Sequence, residues 1–294
     1  MAVPFDQRAD LIWFDGKLVP TADAKISVLT HGLHYASAVF EGERAYGGAI
    51  FKGTEHSERL KRSANILDFE IPYSVAEIDA AKRLIVEKNG MANCYVRAIA
   101  WRGSEQLGVT AMNNTIHLAI ANWEWPSYFD PAQRLKGIRL DLADYRRPDP
   151  KTAPALAKAS GLYAICTISK HIAERKGYAD AMMLDWQGRV AECTGANVFF
   201  IKDGIIHTPT ADCFLDGITR RTVIELARRR GFEVAERRIL PDELPSFNEC
   251  FITGTAAEVT PVSEIGPHRY QPGNMTKVLM EDYTAEVQPK AKAA

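Results

Sequence analysis

Long hydrophobic runs are missing from this sequence. No segment approaches a membrane span, and the N-terminal stretch carries no basic region followed by an apolar core, so a soluble protein of the cytoplasm is expected. A charge imbalance is missing too. The 36 Lys and Arg against 37 Asp and Glu leave a formal net charge of -1, with no block of one sign beyond Arg228 to Arg230. Neither nucleic acid nor an anionic membrane is therefore expected as a partner. Cysteine is scarce: Cys94, Cys166, Cys193, Cys213 and Cys250 are scattered, odd in number and form no Cys-Xaa-Xaa-Cys pair. Reduced thiols fit this better than disulfides or structural zinc. His31 and His34 stand three apart with no cysteine or third ligand nearby, and no metal is expected. No fixed-period repeat occurs.

What remains is the composition of an ordinary globular protein, 46% hydrophobic and 25% charged over 294 residues, long enough for one large or two unequal domains. Residues 1–125 read as a small α+β domain. Leu11 to Phe14, Asp15-Gly16 and Lys17 to Val19 spell a hairpin, as do Arg44 to Tyr46, Gly47-Gly48 and Ala49 to Lys52. His56 to Phe69 has helical spacing, Ser74 and Glu77 form a capping box, and Gly90 stops the helix they start. Cys94 to Trp101 and Thr115 to Ala121 read as strands. The proline- and aromatic-rich residues 126–133 read as a linker, and residues 134–294 as a larger domain. There Ile138 to Leu142 alternates, Ser160 to Gly177 and Ile218 to Arg230 read as helices, and two hairpins turn at Gln187-Gly188 and Asp203-Gly204. Cys250 to Thr253 is a strand entering the loop Gly254 to Ala257, and Met275 to Val287 is a last helix.

From Thr152 to Ser169 the chain carries one charged side chain, Lys158, among eighteen residues. A segment this apolar should be buried, and an ammonium buried with it loses hydration worth several kcal/mol. A lowered pKa is the usual escape, and a neutral, positioned amine is a nucleophile for carbonyls. The alternative is a lysine that reaches solvent from a helix edge.

Other features could join it in a site for a phosphorylated pyridine aldehyde. Glu192 ends a strand, where a buried carboxylate would keep a ring nitrogen protonated, though an exposed turn residue fits as well. Gly217-Ile218-Thr219 opens a helix and offers a phosphate seat or simply a cap. Gly254-Thr255-Ala256 gives a small-residue loop for an anion, Arg59 a cation for phosphate or a surface arginine, and Tyr163 a phenol five residues beyond Lys158.

Phe40-Glu-Gly-Glu-Arg44, Tyr95-Val-Arg97, Ala157-Lys-Ala-Ser-Gly-Leu-Tyr163, Glu192-Cys-Thr-Gly-Ala-Asn197, Leu215-Asp-Gly-Ile-Thr-Arg220 and Thr253-Gly-Thr-Ala-Ala-Glu258 follow one another along the chain. In this combination and order the sequence resembles the branched-chain amino acid aminotransferases, fold-type IV enzymes of pyridoxal 5′-phosphate, from about Ile12 to Ile265. The resemblance implies an α+β / α/β fold, with a small α+β domain and a larger one whose β-barrel-like sheet is flanked by helices. It implies transfer of the amino group of L-leucine, L-isoleucine or L-valine to 2-oxoglutarate, reversibly.

By the same resemblance Lys158 forms the Schiff base and shuttles the proton, Glu192 pairs with the pyridine nitrogen and Tyr163 with the ring oxygen. Arg59, Ile218, Thr219 and Thr255 hold phosphate, and Leu215 packs on the ring. Phe40, Gly42, Arg44, Tyr95, Arg97 and Ala256 line the substrate site, with Arg97 taking the distal carboxylate of glutamate. Tyr35 and Val109 reach that site from a neighbouring subunit, which implies a homodimer or a dimer-based oligomer.

Ala98, Ala196 and Glu43 depart from the family's common residues (proline, glutamate and an aliphatic), and Glu43 borders the pocket motif. D-amino acid or (R)-amine transaminases and aminodeoxychorismate lyase share the cofactor and fold and stay open as alternatives, as does a non-enzymatic binding module.

Overall fold

A computed structural model describes residues 3–125 and 136–289, so the linker expected over 126–133 lies outside the described residues. The chain divides into two compact units. The first takes in the described residues before 126 with Ala157–Gly161 and Pro289; the second takes in 136–156 and 162–288. The pentapeptide around Lys158 thus packs in the first unit although it follows that unit's last strand by some thirty residues.

The first unit is an antiparallel sheet of β1 (Leu11–Phe14), β2 (Lys17–Pro20), β3 (Ala38–Tyr46), β4 (Ala49–Ile50), β5 (Cys94–Arg102) and β6 (Ile116–Glu124), in the order β2-β1-β6-β5-β3-β4. Its helices are α1 (His31–Tyr35), α2 (Gly53–Ile66) and α3 (Val75–Lys88). Asp15 and Gly16 both take positive φ, 46° and 89°, as a two-residue hairpin between right-twisted strands requires. Ser74 and Glu77 cap α3 reciprocally, and α2 starts three residues before its apolar spacing. Strand alternation sorts the two faces. Val39, Ala45, Cys94, Val96, Ala98 and Ala100 pack with Leu60, Ala64, Ile78 and Ile85 of α2 and α3 into one core, leaving Phe40, Gly42, Tyr95, Arg97 and Trp101 on the opposite face.

The second unit holds a nine-stranded mixed sheet: β7 (Ile138–Leu142), β8 (Asp180–Leu184), β9 (Val190–Cys193), β10 (Asn197–Lys202), β11 (Ile205–Pro209), β12 (Glu233–Arg237), β13 (Glu249–Gly254), β14 (Glu258–Ile265) and β15 (His268–Arg269). The order runs from β12 through β11, β10, β13, β14, β7 and β8 to β9, with β15 beside β14. The sheet curls as a half-barrel: the Val190 N–H of β9 donates to the carbonyl of Ile239, just beyond β12 at the other end of the order, at 2.9 Å. Met182, Val198, Phe200, Cys250, Ile252 and Val262 fill one buried cluster with Phe247 and Tyr270. The helices are α4 (Tyr163–Arg175), which follows a 3-10 turn at Ser160–Leu162, α5 (Ile218–Arg229) and α6 (Asn274–Glu286). The alternation expected over β7 breaks at its end, where Asp141 is buried and Leu142 exposed. Lys176 accounts for this, reaching Asp141 at 2.7 Å and compensating the buried carboxylate.

Candidate functional site

In the first unit the site grows from β3. Glu41 and Glu43 point to the helices, and Phe40, Gly42 and Arg44 to the other face. Glu41 is fully buried and accepts from Arg59 Nε at 2.7 Å, Arg59 Nη2 at 2.7 Å and His56 Nδ1 at 2.7 Å. Burial alone would raise the Glu41 carboxyl, but the Arg59 guanidinium and His56 outweigh it and hold it well below the usual range. Arg59 is itself buried, so it is no surface arginine. Glu43 does not border the pocket as its place in the motif suggests. Period-two alternation sends it to the helix side, where Lys82 reaches it at 2.8 Å while also bonding the Gly53 carbonyl at 2.7 Å. Burial pushes Glu43 up to about 8 despite Lys82.

Lys158 lies in no helix. Its N–H donates to Ser63 Oγ at 3.0 Å, its carbonyl accepts from the Phe40 N–H at 3.1 Å, and Ala159 bridges to Val39. Ser63 stands one helical turn after Arg59, so α2 positions both. The amine rests 5.0 Å from the centre of the Phe40 ring. Burial first, then the nearby Arg59 charge, lower its pKa below the ordinary lysine range.

Arg97 is surrounded by aromatic rings: its guanidinium carbon lies 4.6 Å from the centre of Phe40, 5.3 Å from Tyr95 and 5.9 Å from Trp123. Its Nη2 donates to the Tyr95 hydroxyl at 3.2 Å. A Cβ at Gly42 would overlap that hydroxyl, which is why glycine stands there. Arg97 also borders an apolar cavity of about 400 Å³ lined by Phe14, Ile26, Ile99, Trp101 and Ala119. Arg44 sits over Tyr46, 5.0 Å from its centre.

Tyr35 and Val109 are exposed, Val109 at 87%, and His31 ties them together. The His31 ring stacks on Tyr35 at 4.5 Å, and its Nε2 meets the carbonyl of Gly108 at 3.0 Å while Nδ1 meets Ser37 Oγ at 2.6 Å.

The second unit gathers its own group at the ends of β9, β10 and β13. Glu192 is 9% exposed on β9, a buried carboxylate rather than an exposed turn residue. Arg147 Nε lies 3.3 Å from its Oε1, and Asn197 Nδ2 lies 3.3 Å from its Oε2. The same amide donates to the Leu215 carbonyl at 3.0 Å, and a Cβ at Gly217 would overlap Asn197 Oδ1. Asn197 therefore links the carboxylate to the segment that opens α5. That helix begins with buried Ile218 and Thr219, and no side chain caps its N-terminus, leaving backbone donors at its positive end. Thr255 and Ala256 are half-buried in the turn after β13, whose Gly254 approaches the Gly195 carbonyl. Tyr163 is half-buried at the start of α4 and contributes to the field at Arg147.

Glu41, His56, Ser63 and Arg147 escape sequence reasoning. For Arg147 the only signal is Arg146-Arg147-Pro148 after a strand, which also fits a solvated loop.

Residues 38–265 match the family model described as Amino-transferase class IV. The chain is 40% identical over 293 residues to the branched-chain-amino-acid aminotransferase of Pseudomonas aeruginosa, covering 97% of this chain and 95% of that one. It is 44% identical over 254 residues to a probable branched-chain-amino-acid aminotransferase of Rickettsia felis, 86% of each. Among solved structures, the T.th. branched-chain amino acid aminotransferase with pyridoxamine 5′-phosphate superposes with a TM-score of 0.93 at 39% identity, over 97% of this chain and 96% of that one. The branched-chain aminotransferase of Thermoproteus uzoniensis with norvaline gives 0.90 at 35% identity, over 95% and 94%.

Proposed function

The chain belongs to the class IV aminotransferases, enzymes that work with pyridoxal 5′-phosphate, and from that premise we propose that it transfers the amino group of L-leucine, L-isoleucine or L-valine to 2-oxoglutarate, reversibly. The residues fit the cofactor. A buried carboxylate with an arginine beside it suits a pyridinium, an uncapped helix start and a buried arginine suit a phosphate, and an amine with a lowered pKa suits an aldehyde. When bound, pyridoxal phosphate supplies an aldehyde carbon for covalent linkage and a ring that takes up the electrons left at the substrate α-carbon.

Lys158 would supply the amine that holds that carbon and would carry the α-proton of the substrate. Glu192 would hold the proton at the ring nitrogen and Tyr163 would face the ring oxygen. Arg59, Ile218, Thr219 and Thr255 would hold the phosphate, and Leu215 would lie against the ring. Phe40, Gly42, Arg44, Tyr95 and Ala256 receive the substrate.

The observation that carries the substrate assignment is the arginine among rings. Phe40, Tyr95 and Trp123 offer aliphatic side chains an apolar wall, and Arg97 within that wall offers the distal carboxylate of glutamate a partner. Self-association belongs to the proposal, because Tyr35 and Val109 are exposed on the first unit, as are the apolar Val28, Leu29, Leu33 and Met112. None of the described helices is long and apolar enough to cross a membrane, and the five buried free cysteines suit a cytoplasmic location.

The test is the visible spectrum of the purified protein with L-leucine and then 2-oxoglutarate, beside Lys158→Ala. A cofactor band that bleaches with L-leucine, returns with 2-oxoglutarate and is missing from resting Lys158→Ala is expected. A band indifferent to L-leucine overturns the substrate assignment and leads to D-amino acids, (R)-amines and aminodeoxychorismate.

A further inference from the structure

We infer that Arg147 is a positioning residue that keeps Glu192 anionic and thereby governs whether the proton resides on the cofactor's ring nitrogen. The inference rests on the family reading above and on the assignment of Glu192 to that nitrogen.

Arg147 is 4% exposed, and its main chain is fixed: its N–H donates to the Leu184 carbonyl at 2.8 Å, and it bridges to Asp185. Its Nη1 donates to Cys166 Sγ at 3.6 Å on α4. The guanidinium cannot leave for solvent without giving up these contacts. Among the described residues its one recorded carboxylate partner is Glu192, an ion pair at 3.3 Å on Oε1, while Asn197 occupies Oε2.

The other titratable groups around the pair do not replace it. Burial pushes the Cys166 thiol up to about 11 and the Cys193 thiol well above its ordinary value, so both stay neutral. Burial also raises Asp180, whose carboxylate meets the Thr194 hydroxyl and feels Lys170. Tyr163, assigned to the ring oxygen, adds its field to the same guanidinium.

A carboxylate and a pyridine nitrogen share one proton, and the weaker base gives it up. A buried cation beside the carboxylate makes Glu192 the weaker base, so the proton stays on the ring and the ring stays electron-poor.

The experiment compares dissociation constants of pyridoxal phosphate and of its 1-deaza analogue, in which CH replaces the ring nitrogen, for the wild type, Arg147→Gln and Arg147→Lys. Arg147→Gln is expected to weaken pyridoxal phosphate on the order of tenfold and the deaza analogue less than about twofold. Arg147→Lys should keep most of the preference for the nitrogen. Equal losses on both cofactors would make Arg147 scaffolding only and overturn the inference. A wild type indifferent to the nitrogen would overturn it as well, through Glu192. A wild type that takes up neither cofactor would instead overturn the family reading. Should Arg147→Gln not fold, Arg147→Lys decides: a folded lysine variant with no preference sinks the inference.

Discussion

Glu41 and Arg59 meet as a two-pronged pair, Nε to Oε1 and Nη2 to Oε2, both at 2.7 Å, between β3 and α2 of the first unit. The carboxylate, buried completely, sets the plane of the guanidinium, so what Arg59 can offer a phosphate is decided by a residue on a neighbouring strand.

Glu41→Gln should therefore raise the dissociation constant of pyridoxal phosphate by about tenfold or more and cost roughly 3 kcal/mol of stability, since it removes the carboxylate that neutralises a buried guanidinium. Fluorescence titration and urea denaturation measure the two. The Glu41 carboxyl is held below its ordinary value near 4.5, so its contribution is present above that pH and is lost as pH falls through the folded value. The stability gap between wild type and variant should close in acid; a constant gap would refute the charge argument.

Glu43 has the opposite sign. Its pKa rises from 4.5 to about 8 on folding, so stability is full below 4.5 and declines as pH rises through 8. Glu43→Gln should remove a slope of at most about 1.4 kcal/mol per pH unit in that window, with Lys82 keeping Asp79 at 3.2 Å and the Gly53 carbonyl. Melting temperatures at pH 5 and pH 8 compare the two proteins, and parallel curves would count against it.

Gly42→Ala should displace the Tyr95 hydroxyl and with it the Arg97 contact. A cost of about 1–3 kcal/mol from the forced overlap is expected. The 2-oxoglutarate half-reaction should suffer more than the L-leucine one, which single-turnover kinetics on each substrate would reveal.

Val109→Asp places a charge at an 87% exposed position, so folding should change by no more than about 0.5 kcal/mol. Self-association should weaken, shifting the sedimentation profile toward monomer. An unchanged profile would remove this edge from the proposed interface.

The local signals were legible in the sequence. Asp15-Gly16 is a two-residue turn whose conformation few other dipeptides accept, and Ser74 with Glu77 satisfies backbone donors within one helical turn. Strand β14 was not legible, because its pairing with β13 and β7 depends on residues up to 125 positions away rather than on its own pattern. Lys158 stood out as a charge in an apolar run, and Glu192 could be read two ways until its burial was seen. Glu41 could be quoted from its motif, but its role required Arg59 and His56 to be brought from another element. Glu43 was left open for a related reason: adjacency in a motif says nothing about which face of a strand a side chain takes.

The docking of Ala157–Gly161 on β3 also bears on the order in which the protein is assembled. During synthesis the first unit's last strand, ending at Glu124, is complete well before Lys158 leaves the ribosome. The Phe40 N–H and the Ser63 hydroxyl must keep their places open for a segment nearly a hundred residues and more downstream. Bringing the ends of so long a loop together costs chain entropy that the local hairpins of the sheet do not pay, so the amine's placement depends on the contacts in the fold that are furthest apart along the chain.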